Sequence, residues 1–376
     1  MPAVDERDRV FLREAIELAR EGRYSVSPNP AVGCILVRDG EVVGHGFHAR
    51  AGEGHAEVVA LAAAGARAQG ATAYVTLEPC NHHGRTGPCS EALIAAGIAR
   101  VVYGPDDPNP AVNGSGAARL RAAGVEVHGG VEAVAARAVN AGFFQRMLTG
   151  RPRVVLKIAM SLDGATALAS GESQWITGPV ARAAVQGLRA AAGAVVTGIG
   201  TVLADDPRLD VRDPAYEVRG RQPWRVVLDS ALRTPPTARL FDLAGPVLIL
   251  GASVVGPAAD GLRAAGGDVR TVSVTSHGLD LGAVLDLLGE LPVNDVLVEA
   301  GPTLAGRFLA AGLVDELVVH LAPKLLGRTA RRAFEIASPA RLADAYAFDL
   351  VSSTRLGDDM ALVFHAREGS GTGEAD

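Results

Sequence analysis

The chain carries a triplet, His55-Ala56-Glu57, and two cysteines, Cys80 and Cys89, separated by eight residues. If these groups act together, the fold must bring one imidazole, two thiols and a carboxyl to a single point. Imidazole and two thiolates hold Zn²⁺ and leave a fourth position open for water. Bound zinc lowers the pKa of that water towards neutrality. A glutamate that binds no metal then moves protons between the water and a leaving amine, and H-x-E with P-C-x-x-C is the pattern of zinc nucleobase deaminases. This chain departs from the pattern in its cysteine spacing, which is commonly two intervening residues. Gly84, Gly87 and Pro88 let residues 81–88 fold out as a loop, so both sulfurs can still reach one metal.

Each residue also has a plainer reading. A buried cysteine is usually a small hydrophobe, and a lone histidine on a helix is usually a satisfied polar residue. The local patterns favour the joint reading. His55 and Glu57 stand where a helix should begin, after Gly52 and Gly54 and before the apolar run 58–64. Cys80 follows a strand-like stretch, 73–77, and Cys89 opens a helix-like run, 90–96. Helix starts expose free N–H groups that favour thiolate over thiol. Cys34, inside a strand pattern, reads as core.

The 376 residues are enough for two domains. In the first half a helical pattern at 5–22 stops at Gly22, and strands 31–37 and 41–47 flank an Asp39-Gly40 turn. A short strand at 101–103, a helix at 116–124, a strand at 125–127 and a helix at 131–147 follow. This alternation predicts a three-layer α/β domain. Thr149-Gly150-Arg151-Pro152 reads as a linker. A second α/β domain restarts at 154–159. Its strands are expected at 194–197, 225–228, 247–250, 269–272, 295–298, 317–321 and 361–364, and its helices at 180–191, 258–265, 281–288 and 304–311. The Gly, Ser, Glu and Asp-rich end reads as a disordered tail, 367–376.

Charge narrows the function. The net charge is -6 and no Lys/Arg block stands out, which argues against a nucleic-acid surface. Three cysteines, two of them assigned to metal, leave no disulfide framework and point to a reducing cytoplasm. Residues 1–9 are charged, so no signal peptide is expected. No apolar run approaches the ~20 residues of a membrane span.

Three motifs mark the second half. Ser161-Leu162-Asp163-Gly164 follows a strand, with residues 170–177 close behind. Gly198-Ile199-Gly200-Thr201 leads to Asp205-Asp206-Pro207, and its glycines let backbone approach a ligand. It is not the G-x-G-x-x-G fingerprint, and no Walker A sequence occurs. At Glu299-Ala300-Gly301-Pro302-Thr303-Leu304 a buried strand turns into a helix, whose start suits a pyrophosphate. Arg189, Arg208 and Arg212 lie beside these motifs and suit bidentate phosphate contacts. Each motif alone could be an ordinary polar turn.

Together these stretches closely resemble one family, the bacterial bifunctional riboflavin-biosynthesis deaminase–reductases. The resemblance runs from about residue 5 to about 366. It is carried by residues 29–34, His55-Ala56-Glu57, Thr76-Leu77-Glu78-Pro79-Cys80 with 81–86, and residues 157–164, 171–177, 201–207 and 298–304. The wide cysteine spacing is typical of that family. Gly87 stands where the family more often has proline.

The resemblance implies a cytidine-deaminase-like domain over 1–148 and a dihydrofolate-reductase-like domain over 153–366. The first would hydrolyse the 2-amino group of a diaminopyrimidinone carrying a ribosylamino 5′-phosphate. His55, Cys80 and Cys89 would hold zinc, with Glu57 as proton shuttle. The second would use NADPH to reduce the opened ribose to a ribityl chain. Ala159, Trp175, Thr201, Asp205, Ser230 and the segment Gly301, Pro302, Thr303, Leu304, Ala305, Gly306 and Arg307 would contact the cofactor. Ser173, Arg189, Arg208, Arg212 and Glu299 would contact substrate, and Lys157 would join Glu299 in catalysis. The expected partner is this small pyrimidine ribosyl phosphate, with no nucleic acid or membrane, and the chain is expected to form a homo-oligomer. Two other readings stay open on the residues alone. One is a deaminase of a tRNA or free nucleobase, and the other a non-catalytic zinc-stabilised nucleotide-binding module.

Overall fold

The computed structural model describes residues 4–82, 87–110 and 112–367. The expected tail, apart from Arg367, lies outside them, as do residues 83–86 of the loop between the cysteines. The chain divides into two compact units, Met1–Gly150 and Arg151–Asp376.

In the first unit α1 (Glu6–Gly22) starts on a reciprocal cap between Asp5 and Asp8. The Asp8 carboxylate also takes both arms of Arg100, at 2.6 and 2.9 Å, and the Tyr74 hydroxyl at 2.8 Å. The hydrogen bonds from Arg100 lead in holding the Asp8 pKa at about 2. The hairpin β1 (Gly33–Arg38) and β2 (Glu41–Phe47) precedes α2 (Ala56–Ala64) and β3 (Thr72–Val75). Then come α3 (Cys89–Ala95), β4 (Arg100–Tyr103), α4 (Ser115–Ala122), β5 (Glu126–His128), α5 (Ala133–Val139) and α6 (Ala141–Thr149). The sheet order is β2-β1-β3-β4-β5, antiparallel through β3 and parallel beyond. Helices cover both faces, with Leu12 and Ala15 of α1 against one and Ala56, Ala60 and Leu93 against the other.

The single helix expected at 131–147 is two helices. Asn140 breaks it, with φ -119° and ψ 25°. Its side chain accepts from Ala31 N–H at 2.7 Å and donates to Ala31 C=O at 2.8 Å. That tie gains more than one unbroken helical turn, and it fixes the loop that carries Asn29.

The second unit is built on nine strands in the order β11-β10-β9-β8-β14-β6-β15-β18-β17. Its strands are β6 (Arg153–Ser161), β7 (Ala165–Ala167), β8 (Ala194–Gly198), β9 (Trp224–Leu228), β10 (Val247–Gly251), β11 (Asp268–Thr271), β12 (Val274–Thr275), β13 (Gly278–Leu279), β14 (Asp295–Glu299), β15 (Glu316–Ala322), β16 (Arg331–Arg332), β17 (Phe348–Leu356) and β18 (Asp359–Ala366). Between them lie α7 (Pro179–Ala191), α8 (Ile199–Asp205), α9 (Pro257–Ala264), α10 (Leu281–Glu290) and α11 (Pro302–Ala310). The large sheet is parallel from β11 to β15, and its last two strands run antiparallel. Strands covered on both faces read as unbroken apolar runs. Ala194-Val195-Val196, Leu248-Ile249-Leu250 and Val296-Leu297-Val298 are such runs, each residue at most 1% exposed.

The short strands β7, β12, β13 and β16 were not expected from the sequence, and two larger elements also differ from it. Residues 199–205, read as a glycine-bearing loop, form a helix because Val202 is pulled into the core. The edge strand β17 was not expected, because its residues are almost all exposed and carry no buried face.

Candidate active sites

The first site is assembled at the starts of two helices. His55 is the N-cap of α2, Glu57 lies in its first turn, and Cys89 opens α3. Cys80 follows the β3 edge. His55 Nδ1 lies 3.2 Å from Cys89 Sγ and 3.6 Å from Cys80 Sγ. The three ligand atoms all lie within 4.8 Å of one another. One imidazole nitrogen and two sulfurs are a zinc set, so the residues fit that ion. The two sulfurs that bracket residues 81–88 do come together, while residues 83–86 lie outside the described residues. Ser90 N–H donates to Cys80 C=O at 3.1 Å and Cys89 N–H to Cys80 Sγ at 3.4 Å.

The two thiols are not alike. The hydrogen bond from Cys89 leads in pushing Cys80 down to about 4. Cys89, as that donor and deeply buried, is pushed up, although it is the one at the helix start. Both become ligands once a cation replaces the shared proton. Glu57 is 3% exposed, and burial raises its pKa, with the Cys80 charge adding to the rise. A carboxyl raised in this way suits proton transfer near neutral pH. Cys34 is fully buried in β1, in keeping with a core role.

Two residues were given no role from the sequence. His48, buried at the end of β2, stacks edge-on against His55 with ring centroids 5.0 Å apart. Its Nδ1 lies 3.1 Å from Gly54 C=O, which can only accept, so Nδ1 carries the hydrogen. Nε2 must then accept from the Asn29 amide at 3.0 Å. The imidazole therefore sets which way the Asn29 amide points. Glu78 is a brace. Its carboxylate accepts the backbone N–H groups of Asp107, Gly114, Gly116 and Ala117 at 2.8 to 3.3 Å. It ties the turn before Cys80 to the start of α4. Gly116 packs so closely there that a Cβ would lie 1.7 Å from Pro79 O.

The second site is a cleft of about 1320 Å³ at the carboxyl ends of β6, β8 and β14, where open parallel sheets bind ligands. Lys157, Ala159, Ser173, Trp175, Arg189, Thr201, Asp205, Arg208, Arg212, Glu299, Gly301, Pro302, Thr303 and Leu304 all line it. Four expected contacts do not. Ser230 lies beyond β9, away from the lining. Ala305 is buried, Gly306 packs against Glu335 backbone, and Arg307 donates to Leu279 C=O. Only the first turn of α11 therefore faces the cleft, because a helix presents one side at a time.

Arg189 and Glu299, both expected to meet substrate, grip each other. The guanidinium forks onto the carboxylate at 2.6 and 2.9 Å. Burial raises the Glu299 pKa, but Arg189, with Lys157 and Arg212 behind it, more than offsets this and the net shift is down. Lys157 sits beside them, paired with Glu299 across the β6–β14 ladder. Burial lowers its pKa, against the pull of Glu299. Arg208 and Arg212 flank Asp210 at 3.5 and 2.8 Å. The cleft also fits a dinucleotide. Gly200 and Gly301 have nothing within 4 Å of an added Cβ, and the first turn of α11 offers free N–H groups.

The comparisons decide what the two sites belong to. Residues 5–105 match the cytidine and deoxycytidylate deaminase zinc-binding region, and residues 152–362 match the RibD C-terminal domain. The chain is 48% identical to the riboflavin biosynthesis protein RibD of Escherichia coli, over 95% of this chain and 98% of that one. The chain belongs to the RibD family. Its fold agrees with a solved Acinetobacter baumannii RibD at TM-score 0.90 and 44% identity, covering 96% and 99% of the two chains. A Thermotoga maritima structure described as a diaminohydroxyphosphoribosylaminopyrimidine deaminase/5-amino-6-(5-phosphoribosylamino)uracil reductase agrees at TM-score 0.83 and 32% identity, over 96% and 99%.

RibD proteins are bifunctional deaminase–reductases of riboflavin biosynthesis, and both domains are present here. The first unit is cytidine-deaminase-like and the second dihydrofolate-reductase-like. The cofactors are Zn²⁺ and NADPH. Among the described residues, no helix is long and apolar enough to cross a membrane.

One further group in the RibD reductase cleft region was not singled out from sequence. His320, on β15, is 2% exposed, and its Nδ1 has no hydrogen-bond partner within the protein. It shares a sheet face with Lys157, since Val318 pairs with Lys157 and His320 with Ala159. Burial, then the Lys157 charge, lowers its pKa to about 4, while Asp359 and Glu299 pull the other way. The fold therefore favours neutral imidazole. This stability is fully present above the unfolded value near 6.5 and is lost as pH falls from there to about 4. Between pH 7 and pH 4.5 the wild type should lose about 2–3 kcal/mol more than His320→Gln. Urea unfolding of the second unit at both pH values checks this, and equal losses would refute it.

Proposed function

We propose that the chain deaminates 2,5-diamino-6-ribosylamino-4(3H)-pyrimidinone 5′-phosphate in its first unit, over residues 1–148. Its second unit, over 153–366, then reduces the ribosyl chain of the product to the ribityl form. The observation that carries this reading is the coexistence, in one chain, of a His-Cys-Cys donor set beside a buried glutamate and a cation-lined dinucleotide cleft. Either site alone would suit many enzymes.

In the deaminase unit His55, Cys80 and Cys89 hold the metal. Zinc, when bound, supplies the Lewis acid that makes water a nucleophile near neutral pH. Glu57 takes the proton from that water and passes it to the departing amine. Its burial keeps the proton off bulk solvent, and His48 holds Asn29 in a fixed orientation. In the reductase unit NADPH, when bound, supplies the reducing equivalent. Lys157 holds the proton that the opening sugar ring requires. Glu299, aligned by Arg189, orients the sugar hydroxyls. Arg208 and Arg212, held by Asp210, take the phosphate, and Ser173, Trp175, Thr201 and Asp205 frame the remaining ligand surface.

A coupled assay tests the whole reading: the diaminopyrimidine phosphate is supplied and NADPH loss is followed. Consumption that needs this substrate, and is faster with NADPH than with NADH, supports it; deamination of free cytosine or tRNA instead would sink it. Cys80→Ser should lose most of the approximately one zinc per chain expected from three ligands with an open water position. Full zinc and full deamination in that variant would refute the ligand assignment.

The chain is also proposed to work in the cytoplasm as a homo-oligomer. All three cysteines are free, as a reducing compartment requires. The edge strand β17 exposes Leu350 and Val351, each more than half, which natural monomers avoid on an unpaired edge. Light scattering that returns a monomer at micromolar concentration would dismiss the second point.

A further inference from the structure

Lysine is nearly absent from this chain. Of its 36 basic residues only two, Lys157 and Lys324, are lysine, and both lie in the reductase unit. Arginine is a flat fork that spreads its charge over five donors, whereas lysine is a compact point donor on a flexible stem. Lys157 lines the cleft. Lys324 follows β15, is exposed, and has no part in the steps above.

Its Nζ donates to the carbonyl of Trp175 at 2.7 Å. The backbone behind it is anchored. Lys324 C=O accepts Leu162 N–H at 2.8 Å. The Asp163 carboxylate accepts Leu326 N–H at 3.0 and 3.1 Å and Gly327 N–H at 2.8 Å. Asp163 is in turn held by Ser161 Oγ at 2.5 Å. An ammonium thus reaches from a fixed turn to residues 173–177, which form neither helix nor strand and all line the cleft. The Trp175 indole, 62% exposed, is met by the Arg182 guanidinium 4.3 Å from its ring centre. Arg182 also donates to Thr177 C=O at 2.8 Å. Two cations therefore hold this segment, Lys324 by its backbone and Arg182 by both ring and backbone.

We propose that Lys324 is a positioning residue that latches residues 173–177, so that the Trp175 indole stands ready as a wall of the NADPH site. The proposal rests on the reading of this cleft as the cofactor site. Without the latch, binding must also order the segment, and that ordering weakens affinity. Lys324 is not among the residues that line the cleft, so the loss acts through Trp175.

The test is NADPH binding, followed by the cofactor's own fluorescence, in wild type, K324M, K324R, W175A and the K324M/W175A double variant. Losing one charge-assisted hydrogen bond should weaken binding by K324M about five- to tenfold. K324R, which keeps a charged donor, should lie closer to wild type. In the W175A background K324M should add less than about twofold, because there is no ring left to place. Melting temperature separates a latch from a fold defect, and K324M should melt within about 2 °C of wild type. Wild-type affinity in K324M overturns the latch, as does its full effect in W175A or a loss of binding that merely tracks lost stability. If the wild type itself binds no NADPH, the cofactor reading of the cleft falls, and the latch with it.

Discussion

Glu57→Gln should lower deamination by roughly 10²–10⁴-fold, the usual worth of a positioned proton shuttle. The expectation follows from where the carboxyl sits. It lies in the first turn of α2, two residues after the metal histidine, and is 3% exposed. The amide that takes its place cannot carry the proton. The variant keeps the side-chain volume and all three metal ligands, so zinc content should stay unchanged. Reduction should also continue when the already deaminated ribosylamino-uracil phosphate is supplied. Measuring both half-reactions and the metal in one preparation decides the matter. Equal loss of both activities with an intact fold would show that Glu57 does not serve one site alone.

Lys157→Met should do the reverse, lowering reduction by about 10²-fold or more while deamination persists. Lys157 pairs across the ladder with Glu299, and Glu299 is already neutralised by the two-pronged grip of Arg189. Removing the lysine therefore leaves no stranded carboxylate, and methionine fills much of the same stem volume. Glu299→Gln is the less clean change. It would leave buried Arg189, which then keeps only Asp210, and half-buried Lys157 without their nearest counter-charge, and breaking such a pair costs about 3–5 kcal/mol. Reduction assayed with the deaminated substrate, beside NADPH binding, checks the lysine variant. Reduction at the wild-type rate would remove Lys157 from the chemistry.

The deaminase site was legible in the sequence because its ligands are rare residue types in short motifs. A chain with three cysteines offers few ways to make a His-Cys-Cys set, and spacing narrows them further. The reductase cleft was legible in part, as three motifs and three nearby arginines, and its assignment came only through family resemblance. Its functional groups are arginines, glycines, a glutamate and one lysine on separate strands, helices and loops, and only the sheet order brings them together. What no local pattern could supply was pairing. Arg189 and Glu299 are 110 positions apart and looked like two separate substrate contacts. His48 and Asn140 act through one or two hydrogen bonds to loops far along the chain. Helix breaks such as that at Asn140 follow from a tertiary partner, so the helical pattern at 131–147 gave no warning. The β17 edge was missed for a different reason: a strand exposed on both faces has no apolar period to read.

The Glu78 brace changes what a mutational map of this enzyme would look like. Neither Glu78 nor Gly116 is a metal ligand, yet they determine how the Cys80 turn is presented. Any side chain at 116 must displace the Pro79 carbonyl, and a shorter group at 78, or an amide with one acceptor oxygen in place of two, leaves backbone donors around the α4 start without their acceptor. In a deep mutational scan both positions should therefore be as intolerant as the cysteines themselves. Ranked by tolerance alone, they would pass for metal ligands, although each serves the metal only through the shape of the chain around it.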